Sequence, residues 1–407
     1  MQSPREINAM KILVINSGSS SLKFNMFDMT DKSVLCKGIV ERIGMPGTKL
    51  TYQAKGEKCE EPLEITKHSE ALKSICAKLT DAKVGVISSL DEISAIGHRV
   101  FHGGTKYTQP ILVDENVKAK VREYFVLGPL HNPPNLGGIE ACEEAFPGIP
   151  NVAVFDTAFH MSMGPEAYMY ALPREFYDKY GVRKYGFHGT SHKYVYGRTC
   201  EFLGLDPAKA RIISCHLGNG SSLCAVNGGK VVDTTMGLTP LAGLVMGTRC
   251  GDIDPAVVAF LQKQANLTPE EMDSIMNKKS GLLGVSGLSS DMRDIQAACA
   301  AGNEHAQQAY DMFLHRLIHY IGGYYLLLGG VDAILFTGGI GENSCEARKD
   351  IITRLEALGC KLNEELNATI RGKEAIVSTA DSKFPAVVMP TNEELMIALE
   401  TANIVSK

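Results

Sequence analysis

Apolar and polar positions along this chain fall into strand-length runs separated by glycine- and serine-rich turns. Lys11-Ile-Leu-Val-Ile15 reads as a strand, Asn16-Ser-Gly-Ser-Ser-Ser21 as a tight polar turn, and Leu22-Lys-Phe-Asn-Met-Phe27 as a returning strand with period-two alternation. The same design recurs far downstream. Arg211-Ile-Ile-Ser-Cys215 is a strand, His216-Leu-Gly-Asn-Gly-Ser-Ser222 a turn, Leu223-Cys-Ala-Val226 a returning strand, and Asn227-Gly228-Gly229 the next hairpin turn. A shared Gly-Ser-Ser followed by Leu points to internal duplication. A third cluster, Thr337-Gly-Gly-Ile-Gly-Glu-Asn343, follows the apolar strand Ala333-Ile-Leu-Phe336 and precedes a helix expected near Ser344.

Further strands at 92–97 and 151–155 alternate with helical segments at 139–145 and 306–328, the pattern of an α/β protein with covered sheets. The stretch 321–336 is broken by Gly322-Gly323, Gly329-Gly330 and Asp332, so it predicts a buried helix leading into a buried strand rather than a membrane span. A boundary is expected just after Asp156, and a final helix within 390–400 that crosses back to the first half.

Length and composition narrow the class. At 407 residues two or three domains are expected, and 44% apolar with 21% charged residues is ordinary for a globular protein. A net charge of −5 without a Lys/Arg block argues against nucleic-acid or membrane partners. Eleven cysteines without a CxxC pair read as reduced thiols of a cytoplasmic protein, not a disulfide framework or zinc site. Residues 1–9 lack the apolar centre of a signal peptide and read as an extension ahead of Met10. The one skew is glycine, 40 residues, concentrated in the turns.

Strand–turn–strand units rich in Gly and Ser present backbone N–H groups and hydroxyls at one point, a recipe for holding polyphosphate. A P-loop needs Gly-x-x-x-x-Gly-Lys followed by Ser or Thr, which is absent. Gly218-Asn-Gly220-Ser-Ser-Leu223 and Gly339-Ile-Gly341-Glu-Asn-Ser344 both lack the third glycine of a dinucleotide fingerprint. Arg99 and Arg249 each read as lying in a glycine-flanked loop, where a guanidinium fork can grip a carboxylate or phosphoryl group. Asp156 ends an apolar strand. His188 and His192 are four apart, but that segment reads as a loop, which argues against a zinc site. Thr391 with Glu394 has the form of a capping box, which gives Glu394 a structural duty and leaves Glu393 free. Lys23 on the returning strand is placed to approach phosphates, or equally to face solvent.

Two hairpin loops and a later strand–Gly-Gly–helix loop are similar to the actin-like, sugar-kinase-like ATPase arrangement. The resemblance then tightens to acetate kinases. It runs through Met10-Lys-Ile-Leu-Val-Ile-Asn-Ser-Gly-Ser-Ser-Ser-Leu-Lys-Phe24, Gly97-His-Arg-Val-Phe-His-Gly-Gly104, Phe155-Asp-Thr-Ala-Phe-His160 and Gly186-Phe-His-Gly-Thr-Ser-His192. It continues through His216-Leu-Gly-Asn-Gly220, Gly247-Thr-Arg-Cys-Gly-Asp-Ile-Asp254, Asp291-Met-Arg293, Gly338-Gly-Ile-Gly-Glu-Asn343 and Thr391-Asn-Glu-Glu394. These motifs follow the family order over nearly the whole chain.

The resemblance implies two actin-like (ribonuclease H-like) domains related by duplication with an interdomain cleft: 10–156 plus 391–407, and a nucleotide-binding 157–390. It implies a homodimer and reversible transfer of the ATP γ-phosphoryl group to acetate, giving acetyl phosphate and ADP. Mg²⁺ is the implied ion, with Mn²⁺ as a substitute, associated with Asn16 and Glu393. Asp156, His188 and Arg249 are implied catalytic residues; Arg99, Phe101 and His131 would bind the acid. Lys23, His216, Leu217, Gly218, Asn219, Gly220, Asp291, Met292, Arg293, Gly339, Ile340, Gly341, Glu342 and Asn343 would bind nucleotide. Phe101 stands where the family pattern has a smaller aliphatic residue. The rival readings are a propionate kinase on this scaffold, pyrophosphate as donor, or an actin- or chaperone-like ATP-binding module.

Overall fold

A computed structural model describes residues 10–406; the extension expected at 1–9 lies outside them. The chain divides into two compact units. One ends at Ala158 and resumes at Asn392, and the other runs Phe159–Thr391.

The first unit holds β1 (Lys11–Ser17), β2 (Ser21–Asp28), β3 (Ser33–Glu41), β4 (Lys49–Ala54), β5 (Glu57–Pro62), β6 (Ile93–Val100), β7 (Ile111–Leu112) and β8 (Asn151–Phe155). They form one sheet in the order β5-β4-β3-β2-β1-β6-β8-β7. β1 to β5 pair antiparallel, and β1, β6 and β8 run parallel. The second unit holds β9 (Arg211–Leu217), β10 (Ser221–Asn227), β11 (Lys230–Thr234), β12 (Ala333–Thr337), β13 (Ala375–Ile376) and β14 (Ala386–Val388), ordered β11-β10-β9-β12-β14-β13. The run β3-β2-β1-β6-β8 and the run β11-β10-β9-β12-β14 therefore share order and direction. Residues 11–20 and 211–220 even share one burial sequence, position for position. The duplication seen in two short turns extends over whole sheets.

Both sheets are covered on both faces, which is why their first strands read as continuous apolar runs. Leu13 and Ile15 pack against the helices His68–Leu79 and Asn132–Ala145. Ile12 and Val14 pack against Ile397, Ala398 and Ala402 of the last helix, Glu393–Val405. In the second unit Ile213 and Cys215 face the helix Glu304–Leu327, while Ile212 faces Val195 and Cys200 of Gly189–Leu203. Each such aliphatic side chain contributes about 1.5–3 kcal/mol by leaving water.

Several local expectations are corrected. Arg99 lies on β6, which runs on to Val100, not in a loop. His216 and Leu217 finish β9 and are not in the turn. His192 belongs to the helix Gly189–Leu203. The Gly-Gly cluster is itself a helical turn, Gly338–Asn343, and Ser344 caps a second helix, Cys345–Leu355. That turn forms because the Glu342 carboxylate accepts from the Gly338 N–H at 2.9 Å. Gly338 has φ 76°, and a Cβ there would meet the Leu217 carbonyl oxygen at 2.7 Å. The last helix is capped by Asn392, which accepts from Leu395 N, so no Thr391–Glu394 capping box forms. Thr391 is engaged elsewhere: its N–H donates to Glu342 and its hydroxyl meets Ser191.

Candidate functional site

In the first unit the parallel strands β6 and β8 deliver Arg99 and Asp156 side by side. Arg99 pairs in register with Val154, and Asp156 follows β8 by one residue, its N–H bonded to the Val100 carbonyl. Arg99 Nε and Nη2 both donate to Asp156 Oδ2, at 2.9 and 2.6 Å. The Asp156 side chain is 2% exposed and that of Arg99 29%. The Asp156 charge holds the Arg99 pKa above its ordinary value.

Glu393 and Glu394 open the last helix beside this pair. Burial pushes the Glu393 carboxyl up; Arg99 opposes the rise, and Asp156 and Glu394 add to it. Burial also acts to raise Glu394, but the hydrogen bond and charge of Lys23 outweigh it and hold that carboxyl down. Lys23 lies opposite Asn16 across the β1–β2 hairpin. Asn16, Asp156 and Glu393 offer oxygen donors, and burial disfavours the Glu393 anion where no cation offsets it. That chemistry fits a hard divalent cation such as Mg²⁺. Among the described residues no group of three or more His, Cys, Asp or Glu side chains could hold a metal unaided.

Phe101 leaves the end of β6 and stacks on His131, with ring centroids 4.2 Å apart and planes at 18°. His131 is the residue before the helix Asn132–Ala145, whose first turn carries Pro133-Pro134, where missing N–H groups cost nothing. Asn132 and Asn135 on that turn bond to the backbone of Phe101 and His102, a role that sequence reasoning missed. The two asparagines flanking Pro133-Pro134 carry that signal in the sequence.

In the second unit His188 precedes the helix Gly189–Leu203 in the left-handed conformation, φ 59°, a strained choice for a residue with a Cβ. Its Nδ1 meets Ser222 Oγ at 2.9 Å and its ring stacks on His216 at 4.2 Å. The same hydroxyl meets His192 Nε2 at 2.8 Å, and His192 Nδ1 meets Ser214 Oγ at 2.8 Å. Both nitrogens of the buried His192 are therefore taken by serines, and burial holds its pKa well below the ordinary value. His216 Nδ1 meets Ser191 Oγ at 2.8 Å.

Arg249 reaches the same corner from the loop between Gly247 and Gly251. Its Nη1 donates to the Pro240 carbonyl at 3.2 Å. A Cβ on Gly220 would stand 3.2 Å from that Nη1 and 3.7 Å from His188 Nε2, so any larger residue would crowd the tip of Arg249. Burial lowers the Arg249 pKa, and no neighbouring charge contributes.

A cavity of about 710 Å³ lies in this unit. Of the expected nucleotide residues, Gly218, Asn219, Asp291, Met292, Arg293, Gly339, Ile340 and Asn343 line it, while Lys23, His216 and Gly220 do not. Asp291 caps its helix and is held down to about 2 by the Arg293 hydrogen bonds. Leu217 and Gly341 are buried outside it, and Glu342 spends its carboxylate on the Thr337 hydroxyl, Gly338 N and Thr391 N. The cavity also takes in Ser290, Gln296, Ser344, Glu346 and Arg371, none singled out from sequence. Gln296 stands one helical turn beyond Met292 and could have been found by that spacing. Arg371, distant in sequence, gave no signal.

Residues 11–399 match the model of the acetokinase family. The chain belongs to that family. An acetate kinase of Finegoldia magna is 57% identical over 397 residues, covering 97% of this chain and all of that protein. The crystal structure of Porphyromonas gingivalis acetate kinase superimposes with TM-score 0.93 at 46% identity, covering 97% of this chain and 100% of that one. A propionate kinase from Francisella tularensis gives TM-score 0.90 at 40% identity, covering 97% and 100%. Acetokinase membership accounts for the order of every motif and for the paired α/β sheets.

Proposed function

We propose that this chain is an acetate kinase, transferring the γ-phosphoryl group of ATP reversibly to acetate by direct in-line displacement. The observation that carries the reading is the pairing of chemistries within one acetokinase chain. One unit presents an arginine–carboxylate site beside an aromatic wall; the other presents Arg249 and His188 around an open glycine corner and a nucleotide-sized cavity.

Acetate is already an anionic nucleophile at neutral pH, so no general base is needed. We assign Arg99 to the carboxylate, with Phe101 and His131 at its methyl group. Asp156 orients the Arg99 fork. Arg249 and His188 neutralise the phosphoryl oxygens as charge shifts toward the leaving group. The cavity residues hold the nucleotide, and Lys23, His216 and Gly220 support its phosphates. Asn16, Asp156 and Glu393 would hold Mg²⁺, directly or through water; the ion would screen phosphate charge. Positioning and charge neutralisation supply the rate, with little covalent work for the protein.

A hydroxamate assay with ATP, Mg²⁺ and acetate tests the reading. Acetyl hydroxamate formation is expected, and ATP turnover without acyl phosphate would favour an ATP-binding module instead. Running propionate alongside decides the acid, and we expect the Phe101 ring to favour acetate.

The helix Pro255–Gln264 carries Val257 and Phe260, yet none of its residues is buried. We propose that a second copy of this chain covers it, so that Phe260→Glu yields monomers in sedimentation. No described helix is long and apolar enough to cross a membrane, and we place the protein in the cytoplasm.

A further inference from the structure

Phe101 is held from more sides than an aromatic wall needs. Its N–H donates to Asn135 Oδ1 at 3.0 Å, while Asn135 Nδ2 donates to the Ser17 carbonyl at 2.7 Å. Asn135 is 6% exposed, so one amide bridges the end of β1 to the residue two beyond Arg99. Donor and acceptor are both used, which fixes the orientation of the amide, since a flip would set like groups against like. The next residue is clamped in the same manner. His102 N donates to Asn132 Oδ1 at 3.0 Å, and Asn132 Nδ2 donates to the His102 carbonyl at 3.1 Å, with Asn132 fully buried. The Phe101 ring lies on His131, and a Cβ added at Gly128 would stand 2.9 Å from its Cδ1.

We propose that Asn135 is a positioning residue for acid choice: it fixes the Phe101 backbone so that the ring cannot yield to a longer carboxylic acid. The inference rests on the assignment of Phe101 to the acid site. Asn135 touches no reacting atom. It acts through the position of Phe101, while Asn132, His131 and Gly128 limit where that ring can go.

The test compares kcat/KM for acetate and propionate, with KM for ATP and the melting midpoint, in the full-length enzyme and two variants. Asn135→Ala removes the bridge. Loss of one such hydrogen bond should move the acetate-to-propionate ratio about fivefold toward propionate, leaving KM for ATP unchanged. Gly128→Ala leaves the bridge intact and presses on the ring edge, so it should shift the same ratio even if Asn135→Ala folds poorly. A purely structural role of Asn135 would lower both acids by a common factor in Asn135→Ala while Gly128→Ala still shifts the ratio, and that result overturns the proposal. Should the unmodified enzyme phosphorylate neither acid, the functional reading fails and this inference with it. A normal ratio in the enzyme that stays fixed in the variants sinks the inference alone.

Discussion

The two arginines that the sequence placed in like settings turn out to be unlike. Arg99 sits on a strand and gives two donors to a buried aspartate, whereas Arg249 sits in a loop and gives one to a backbone carbonyl. One cation is already balanced by a carboxylate. The other is half-buried with no opposing charge acting on it. Under the proposed assignment the difference would divide the labour: Arg99 is oriented in advance by its partner, and Arg249 would receive an anion.

Substitution should break this contrast in a definite order. Arg249→Ala should lower kcat about a thousandfold, as loss of an arginine at developing phosphoryl charge does, with little change in melting midpoint. Free guanidinium should restore part of the rate. A kcat within tenfold of the unmodified enzyme would remove Arg249 from the reaction. Arg99→Lys keeps the charge but not the fork, and activity should collapse by about a hundredfold, chiefly through kcat/KM for acetate. Arg99→Ala should in addition cost about 3 kcal/mol of stability, because Asp156 is left buried without its cation. Chemical denaturation of both alanine variants checks the asymmetry, and equal loss in the two would erase it.

Ser222→Ala is a gentler probe of the Arg249 side. It frees His188 Nδ1 and His192 Nε2 together, and about a tenfold loss in kcat with unchanged KM for acetate is expected. The smallest effect belongs to Lys23→Ala. Its pair with Glu394 is half exposed, so stability should change by less than about 1 kcal/mol in thermal unfolding. A larger loss would show that Lys23 braces the acid side.

The sequence made the repeated architecture legible because each β1-type strand carries its own apolar run and its own turn chemistry. One of its misreadings comes from contacts made across long sequence separations, another from a side chain folding back on its own turn. Thr391 and Glu394 have the spacing of a capping box, but Glu394 is drawn to Lys23 and Thr391 to Ser191 and Glu342. The cap falls instead to Asn392. The Gly-Gly cluster reads as a loop by composition, and the Glu342 carboxylate makes it helical. Of the site, Arg99 and His216 were read into loops although they lie on strands, and Asp156 at the end of β8 was readable. The asparagines holding Phe101 and the arginine lining the cavity were not, because only the fold brings them in.

The left-handed backbone at His188 carries one more consequence. Glycine or asparagine adopts that conformation at lower cost, but His188→Gly also gives up the Ser222 hydrogen bond and the stack on His216, so the relieved strain is offset and stability should change little. The variant would be close to inert. Engineering this enzyme for heat resistance by relieving backbone strain would reach position 188 early, and there the contacts of the side chain and its proposed role both limit what can be exchanged.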